Sequence, residues 1–501
     1  MREYITRLPL HWIMVPVFFI LHIVNEFYGL LYNTIVFSYL GYYLLLTVVV
    51  FFVGKLIYRS DKKSAVWTTV LMSIFFFWGV FHDFLKGLGM PRFFTSYTLL
   101  LPVLFFLLLF FTWILRKRKD VNKMTALLNI VFAVLIVIDL TQIAYKYLSP
   151  GDENDLSRNN PSLNIEIKPV PDSLKPDIYF IVFDEYASSL SLKKYFNFDN
   201  HTLDSMMESY GFYIAKNSRS NYNATPLSVS STFNLQYFHE NYEGVYTGAK
   251  ILQQGFYTLN LSIIPKILKA NGYQIYHYGL DPDNTNLAPV KFAEKICRKI
   301  FFIHTFPGRI ERDILWNFKI PLSSKEQIAR WRQESNSGVE KYRQEVMNNF
   351  YHLIAEMNKP SGKAKFVYAH MLLPHSPFIL DRNGNIVDQS KKETQVSGGY
   401  IEQVLYTNKL IEQIVHLTKK SGDRPRVVII EGDHGFRGDT PVPNTRETYF
   451  MNLSTFYFSD GDYRLLYDSI SPVNTFRVVL DKYFKADLPM LKDTSILIKY
   501  K

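Results

Sequence analysis

The apolar residues of this chain are unevenly spread. Five runs, about Leu10 to Leu30, Val36 to Ile57, Ala65 to Leu85, Phe94 to Leu115 and Thr125 to Leu148, are separated by short polar stretches. Crossing a bilayer takes roughly 20 mainly apolar residues, so the pattern predicts five membrane-spanning helices. The first run is not a cleavable signal, because no small-residue cleavage site follows it and four further runs do. From Ser149 to Pro176 the chain turns polar, rich in Pro, Asn, Asp and Ser, with no sustained period. Such a stretch reads as an exposed linker.

A different pattern runs from Asp177 to the end. Asp177 to Phe183, Gln274 to Tyr278, Lys365 to Ala369 and Val427 to Ile430 read as strands, whereas Leu203 to Tyr210, Ile263 to Asn271, Val339 to Met357 and Tyr400 to Lys420 carry helical spacing. Alternation of this kind implies βαβ units, hence an α/β domain with a mainly parallel sheet flanked by helices. The predicted organisation is a five-span domain over 1–148, a linker over 149–176 and a globular domain over 177–501.

Charge refines this picture. The formal net charge of +11 raises the question of nucleic acid, but the basic residues cluster between apolar runs. Arg2 and Arg7 precede the first run; Lys55, Arg59, Lys62 and Lys63 lie between the second and third; Arg116, Lys117, Arg118, Lys119 and Lys123 lie between the fourth and fifth. The connection after the first run has Glu26 and no basic residue, and the one after the third has only Lys86 and Arg92. Positive-inside bias then places the N-terminus in the cytoplasm and everything beyond the fifth span outside. The basic excess is a topology signal, and no nucleic-acid partner is expected. Cys297 is the sole cysteine, so no intramolecular disulfide forms and stability must come from packing, with or without a metal. Asp139 stands inside the fifth run, where a carboxylate is costly and needs a partner. Gln142 and His22 are the candidates, and its role is either to tie two helices together or to admit a lipid head group.

Four stretches of the outer domain carry chemistry. Arg424 to Phe436 is a β-branched strand ending in Glu431, Gly432, Asp433, His434 and Gly435. A carboxylate beside an imidazole at a strand's C-terminal end, where open α/β sheets bind ligands, suits a divalent metal; the plain alternative is a turn with a capping Asp. The first strand ends in Asp184 and Glu185, a metal carboxylate or a helix N-cap. In Asn221 to Phe233, Pro226 favours the first helical position, with Thr225 as N-cap. A hydroxyl there is either a simple cap or, beside a cation, a nucleophile facing a bound anion. In His370 to Pro377, His370 and His375 bracket a Pro-bounded turn where imidazoles can hold phosphoryl oxygens or protonate a leaving group. His277, near the end of its strand, reads as a core or rim histidine ahead of a substrate contact.

Together these stretches resemble membrane-anchored members of the alkaline phosphatase superfamily with sulfatase-like domains, particularly bacterial phosphoethanolamine transferases and lipoteichoic acid synthases. The resemblance implies one divalent ion, Zn²⁺ or Mn²⁺, held by Asp184, Thr225, Asp433 and His434, with Thr225 the nucleophile. It implies substrate contacts from Ser228, three residues after Thr225, and from His370 and His375. It further implies transfer of phosphoethanolamine or phosphoglycerol from a phospholipid donor to an envelope glycan or lipid acceptor, by a monomer in the bacterial inner membrane with its catalytic domain periplasmic or extracellular. The tail Ser471 to Arg477 is similar to a stretch common in uncharacterised sulfatase-like bacterial proteins. Asp184 stands where the transferases usually carry Glu, which leaves Glu185 in play, and no histidine follows His434, which favours one metal over two. Cys297 lies far along the sequence from the nucleophile position, which disfavours sulfate-ester hydrolysis. The alternatives are a membrane-bound phosphodiesterase or sulfatase-like hydrolase, and a scaffold that has lost activity.

Overall fold

The structure is a computed structural model that describes residues 8–148, 165, 167–238, 248–280, 287, 290–315, 325–360, 362–387, 396–419, 424–438 and 446–498. Arg2, Arg7 and most of the expected linker lie outside these. The chain divides into two compact units, Met1–Asp152 with Glu294–Ile328, and Glu153–Ala293 with Ala329–Lys501.

The first unit is helical: α1 (His11–Glu26), α2 (Asn33–Tyr58), α3 (Asp61–Gly87), α4 (Tyr97–Lys117) and α5 (Asn122–Leu148). The last four are long and apolar enough to cross a membrane; α1 is apolar but has only 16 residues. Its expected span to Leu30 is cut short because the chain turns after Glu26, with Gly29 at φ +76°. Helix α1 packs on α2, α3 and α5, and their aromatic rings interlock, as where Phe19 stacks on Phe76 at 4.4 Å between centroids.

Residues 294–328 also belong to this unit, although they lie within the stretch read as the outer domain. The excursion begins within a helix, Val290–Ile303, and continues into a short one, Phe306–Ile310. Tyr43 donates to the Phe301 carbonyl at 2.8 Å, Tyr39 stacks on the Phe301 ring at 5.0 Å, and the Gly79 amide donates to the His304 carbonyl at 3.0 Å. Arg309, almost fully buried, pairs with Asp83, and Cys297 is buried here.

The second unit is built on a six-stranded sheet with strands β1 (Asp177–Phe183), β2 (Tyr213–Ile214), β3 (Gln274–Tyr278), β4 (Lys365–Met371), β5 (Arg426–Gly432) and β6 (Ser454–Phe458), ordered β2-β6-β5-β1-β4-β3. Strands β5, β1, β4 and β3 are parallel, β6 runs antiparallel to β5, and β2 antiparallel to β6. The expected mainly parallel sheet is therefore a mixed one, with a parallel centre and an antiparallel edge. The edge left little trace in the sequence because β2 has two residues and β6 five.

Burial on both faces accounts for the continuous apolar runs of the central strands. On one face Tyr179, Ile181, Phe183, Val367, Ala369, Val428 and Ile430 pack against the helices Lys325–Asn358 and Val396–Thr418. On the other, Phe180, Phe366 and Tyr368 pack against Phe233 of the helix Thr225–Asn234 and Phe476 of the helix Pro472–Phe484, with ring centroids 4.9–6.1 Å apart. That second face carries the chemistry.

Candidate metal and phosphoryl-transfer centre

Strand register explains why residues remote in sequence meet. Val182 of β1 lies level with His370 of β4 and Glu431 of β5. Side chains alternate along a strand and paired parallel residues share a face, so Val182, His370 and Glu431 share one face. Asp184 and Asp433, two residues further on, project beyond the strand ends on that side. The helix that packs there begins at Thr225.

His434 is the hub. Its Nε2 lies 3.6 Å from Asp184 Oδ1, 3.5 Å from Asp433 Oδ2 and 3.3 Å from Thr225 Oγ1. Its Nδ1 lies 2.8 Å from the Gly435 carbonyl, which can only accept. The Nδ1 proton is therefore committed there, leaving the Nε2 lone pair aimed at the carboxylates. On the other side of Asp184, His370 Nε2 approaches Oδ2 at 3.4 Å, while His370 Nδ1 meets the Tyr368 hydroxyl at 2.9 Å. Among the described residues, Asp184, His370 and Asp433 can each offer a ligand atom lying within 4.8 Å of the others. Asp184 Oδ1 and Asp433 Oδ2 are buried without hydrogen-bond partners. Two buried carboxylate oxygens left unsatisfied side by side are expensive, and a cation between them satisfies both. The residues present therefore fit a divalent ion.

The plain alternatives can be weighed against the geometry. Asp184 caps no helix, since the next one, Ser189–Phe196, is capped by Ser188. Asp433 does brace a turn through Oδ1, which accepts from the amides of Glu185 at 3.0 Å and His434 at 2.9 Å, yet its Oδ2 stays unused by the protein. Thr225 is not the N-cap expected. The amides of Leu227 and Ser228 bond to the Ala224 carbonyl, so Ala224 is the extended N-cap and Thr225 the first helical residue. Released from capping, the Thr225 hydroxyl turns to His434. Gly435 supplies room, because a Cβ there would sit 2.0 Å from the Thr448 carbonyl.

Electrostatics follow from burial and crowding. Burial alone raises the Asp184 carboxyl, but His375, His370 and His434 outweigh it and hold it well below the usual carboxylate range. Asp433 is pushed up to about 6 by burial and by Asp184 beside it. Burial and Arg437 lower His434 to about 3, keeping its ring neutral as a ligand requires.

Other expected site residues take more specific places. Ser228 donates to the Asp433 carbonyl at 2.5 Å, fixing the helix start to the end of β5. His375 Nε2 lies 3.1 Å from Arg437 Nη2 and 3.7 Å from Glu185 Oε2. Burial would lower His375, but Asp184 and Glu185 hold it above its ordinary value. Glu185, at φ +64°, accepts at Oε1 from the Arg437 amide at 2.6 Å, so its carboxylate is turned toward Arg437 and His375. His277 is partly buried on β3.

Arg437 was not foreseen. It also donates to the Asn223 carbonyl at 3.2 Å, linking the Thr225 loop to the His375 turn. Its trace in the sequence is a cation three residues past an Asp-His pair, in a site meant for an anion. The tail motif Ser471 to Arg477 is support. Thr475 donates to Glu431 at 2.6 Å, Arg477 to the Leu235 carbonyl that ends the Thr225 helix, and the Val473 amide to Asn221 at 3.1 Å.

None of the curated proteins matches the sequence. Similar solved structures include the C-terminal periplasmic domain of phosphoethanolamine transferase EptC from Campylobacter jejuni, at 12% identity and TM-score 0.34, covering 62% of this chain and 90% of that one. The soluble domain of lipooligosaccharide phosphoethanolamine transferase A from Neisseria meningitidis aligns at 13% identity and TM-score 0.38, covering 64% and 92%. The integral membrane form of that transferase from Neisseria meningitidis aligns at 13% identity and TM-score 0.38, covering 95% and 94%. The family model described as Sulfatase matches residues 176–472. With more than half of its length in that match, including every residue of the centre, the chain belongs to the sulfatase family.

Proposed function

We propose that this chain transfers a phospholipid-derived phospho head group, phosphoethanolamine or phosphoglycerol, to a cell-envelope glycan or lipid through a phosphothreonine at Thr225. The observation that carries the reading is the Thr225 hydroxyl 3.3 Å from His434 Nε2, which itself lies 3.6 and 3.5 Å from Asp184 and Asp433. A hydroxyl at a helix start, beside two carboxylates that each keep an unsatisfied oxygen, has the makings of a nucleophile rather than of a cap.

Asp184, Asp433, His434 and Thr225 would hold one divalent ion, Zn²⁺ or Mn²⁺, with His370 a further donor on the Asp184 side. When bound, such an ion supplies positive charge that acidifies a hydroxyl and neutralises phosphoryl oxygens. In the reaction, Thr225 first gives up its hydroxyl proton to solvent, its Oγ then attacks phosphorus in line and the bond to the diacylglycerol oxygen breaks, giving a phosphothreonine diester. His375, held between Glu185 and Arg437, gives its proton to the departing diacylglycerol oxygen. His375 then takes the proton of the acceptor hydroxyl as that oxygen attacks phosphorus and releases Thr225. Arg437 supplies permanent charge for the phosphoryl oxygens, and Ser228 keeps the nucleophile's helix fixed to Asp433.

In this reading 1–148 anchors the enzyme in the bacterial inner membrane with the N-terminus cytoplasmic. The stretch 149–176 links the anchor to a monomeric catalytic domain over 177–501, periplasmic or extracellular. An anchor suits a donor that never leaves the bilayer, because it makes the search for substrate local.

Intact-protein mass spectrometry after incubation with native phospholipids tests the reading. A head-group mass on a peptide containing Thr225, absent from Thr225→Ala, is expected. An unmodified Thr225 in an actively turning-over enzyme sinks it. Labelled phospholipid separates transfer, with label on a glycan or lipid, from hydrolysis, with label in free head group.

A further inference from the structure

In the first unit, Asp139 of α5 is 3% exposed, and its Oδ2 is buried without a hydrogen-bond partner. Its Oδ1 accepts from Asn25 Nδ2 of α1 at 2.8 Å and lies 3.3 Å from His22 Nδ1. Asn25 also donates to Gln142 Oε1 at 2.5 Å, and Lys146 Nζ donates to the Asn25 backbone and side-chain oxygens at 2.5 and 2.9 Å. Asp139, Gln142 and Lys146 are spaced i, i+3 and i+7, which places them along one stripe of α5. Sequence pattern had offered His22 and Gln142 as partners for Asp139; Asn25, tied to both Asp139 and Gln142, was not foreseen.

Four observations make this more than a tie between helices. The cluster lies at the level of the last turn of α1, which ends at Glu26, rather than midway along the bundle. Tyr145 and Tyr147, 60% and 71% exposed, stand at the same end of α5; exposed tyrosines of this kind mark the head-group boundary. The cluster also opens outward, since His22 and Gln142 are exposed and Lys146 is half-buried. Finally, its charges are mixed, with the Asp139 carboxylate and the Lys146 ammonium meeting opposite atoms of the one Asn25 side-chain amide, whose nitrogen donates to Asp139 and whose oxygen accepts from Lys146. A phospholipid bearing both a phosphate and a primary ammonium presents the opposite pair.

We propose that this cluster is a docking site for a primary-ammonium phospholipid head group, in which Asp139 Oδ2 accepts from the ammonium and Lys146 meets the phosphate. An orphaned carboxylate oxygen at the head-group boundary gains a charged donor from such a lipid, and an anionic lipid with a neutral glycerol head offers none of that charge. The proposal deepens the transfer reading by naming the head group as ethanolamine-like, and it rests on that reading only for its purpose. Binding itself is read without turnover.

The test is native mass spectrometry of the full-length protein in detergent, titrated with phosphatidylethanolamine or phosphatidylglycerol of identical acyl chains. The wild type and Thr225→Ala are expected to prefer the ethanolamine lipid by about tenfold, in line with a hydrogen bond between charged groups. Asp139→Asn, nearly isosteric, is expected to abolish that preference. Lys146→Gln is expected to weaken both lipids alike, because the phosphate is common to them. Equal binding of the two lipids by wild type, or an undiminished preference in Asp139→Asn, overturns the proposal. A lowered melting temperature in Asp139→Asn with the preference intact likewise overturns it and leaves Asp139 a helix tie. Preference for the ethanolamine lipid together with an unmodified Thr225 in a working enzyme would retain this site while removing the transfer mechanism.

Discussion

Glu431 and Arg437 show how single side chains around the centre are set by what surrounds them. Glu431 is buried on the chemical face of the sheet, and burial raises its carboxyl to about 7, against the opposing effect of hydrogen bonds from Thr475 and Ser454. Because the folded value lies above that of the free side chain, Glu431 leaves stability untouched below the free value and lowers it as pH rises through about 7. Glu431→Gln keeps the acceptor for Thr475 and removes the charge. It is expected to melt higher than wild type at pH 8, by at most roughly 3 kcal/mol for a shift of this size, and together with it near pH 4. Circular dichroism melts at both pH values check this. The Arg437 guanidinium bridges His375 and the Asn223 carbonyl, while its backbone amide, which any substitution keeps, donates to the Glu185 carboxylate. Lys cannot reproduce such a fork of donors, so Arg437→Lys is expected to lower kcat by about tenfold or more without changing the melting temperature. Turnover of labelled phospholipid measures it.

At the scale of elements, the helix that starts at Thr225 is held against the sheet by the helix Pro472–Phe484. Phe476 meets Phe180, Phe233 and Phe366 with centroids 5.1, 5.6 and 5.8 Å apart. Phe476→Ala removes a fully buried ring and is expected to cost about 3–5 kcal/mol, with a loss of activity as the nucleophile's helix loosens. Denaturant unfolding read by circular dichroism gives the first quantity. Much of this arrangement was legible in the strand runs, the alternation of elements and the motifs at their ends, because each is local. The position of Thr225 within its helix was misread by one residue, since which carbonyl accepts the first helical bond depends on the loop before it. The antiparallel edge was missed because strands of two and five residues carry too little pattern to compete with a loop.

For the whole molecule, the two units make separable demands on stability. A divalent ion that binds only the folded centre raises stability as its concentration exceeds its dissociation constant, by about 2.7 kcal/mol at a hundredfold excess. Chelation of the purified protein is therefore expected to lower the melting transition of the second unit, and Zn²⁺ or Mn²⁺ to restore it; calorimetry distinguishes this from an indifferent fold. In the first unit, the excursion through 294–315 lies so close to α3 that a Cβ on Gly79 would fall 2.6 Å from the His304 carbonyl. Gly79→Ala is expected to loosen this contact and to make the excursion a new site of cleavage in limited proteolysis.

By itself the sequence determined the periodic and the local: apolar runs of membrane-crossing length, the strands and helices of an α/β domain, and chemical residues at strand ends and a helix start. Side-chain period and chain stiffness act over a few residues, so they are written where they act. Only the tertiary structure decided that Glu185 turns to Arg437 and His375, that Asn25 joins Asp139, and that residues 294–328 fold with the first unit. Those outcomes depend on which surfaces meet across tens to hundreds of residues, and no short stretch encodes its partner.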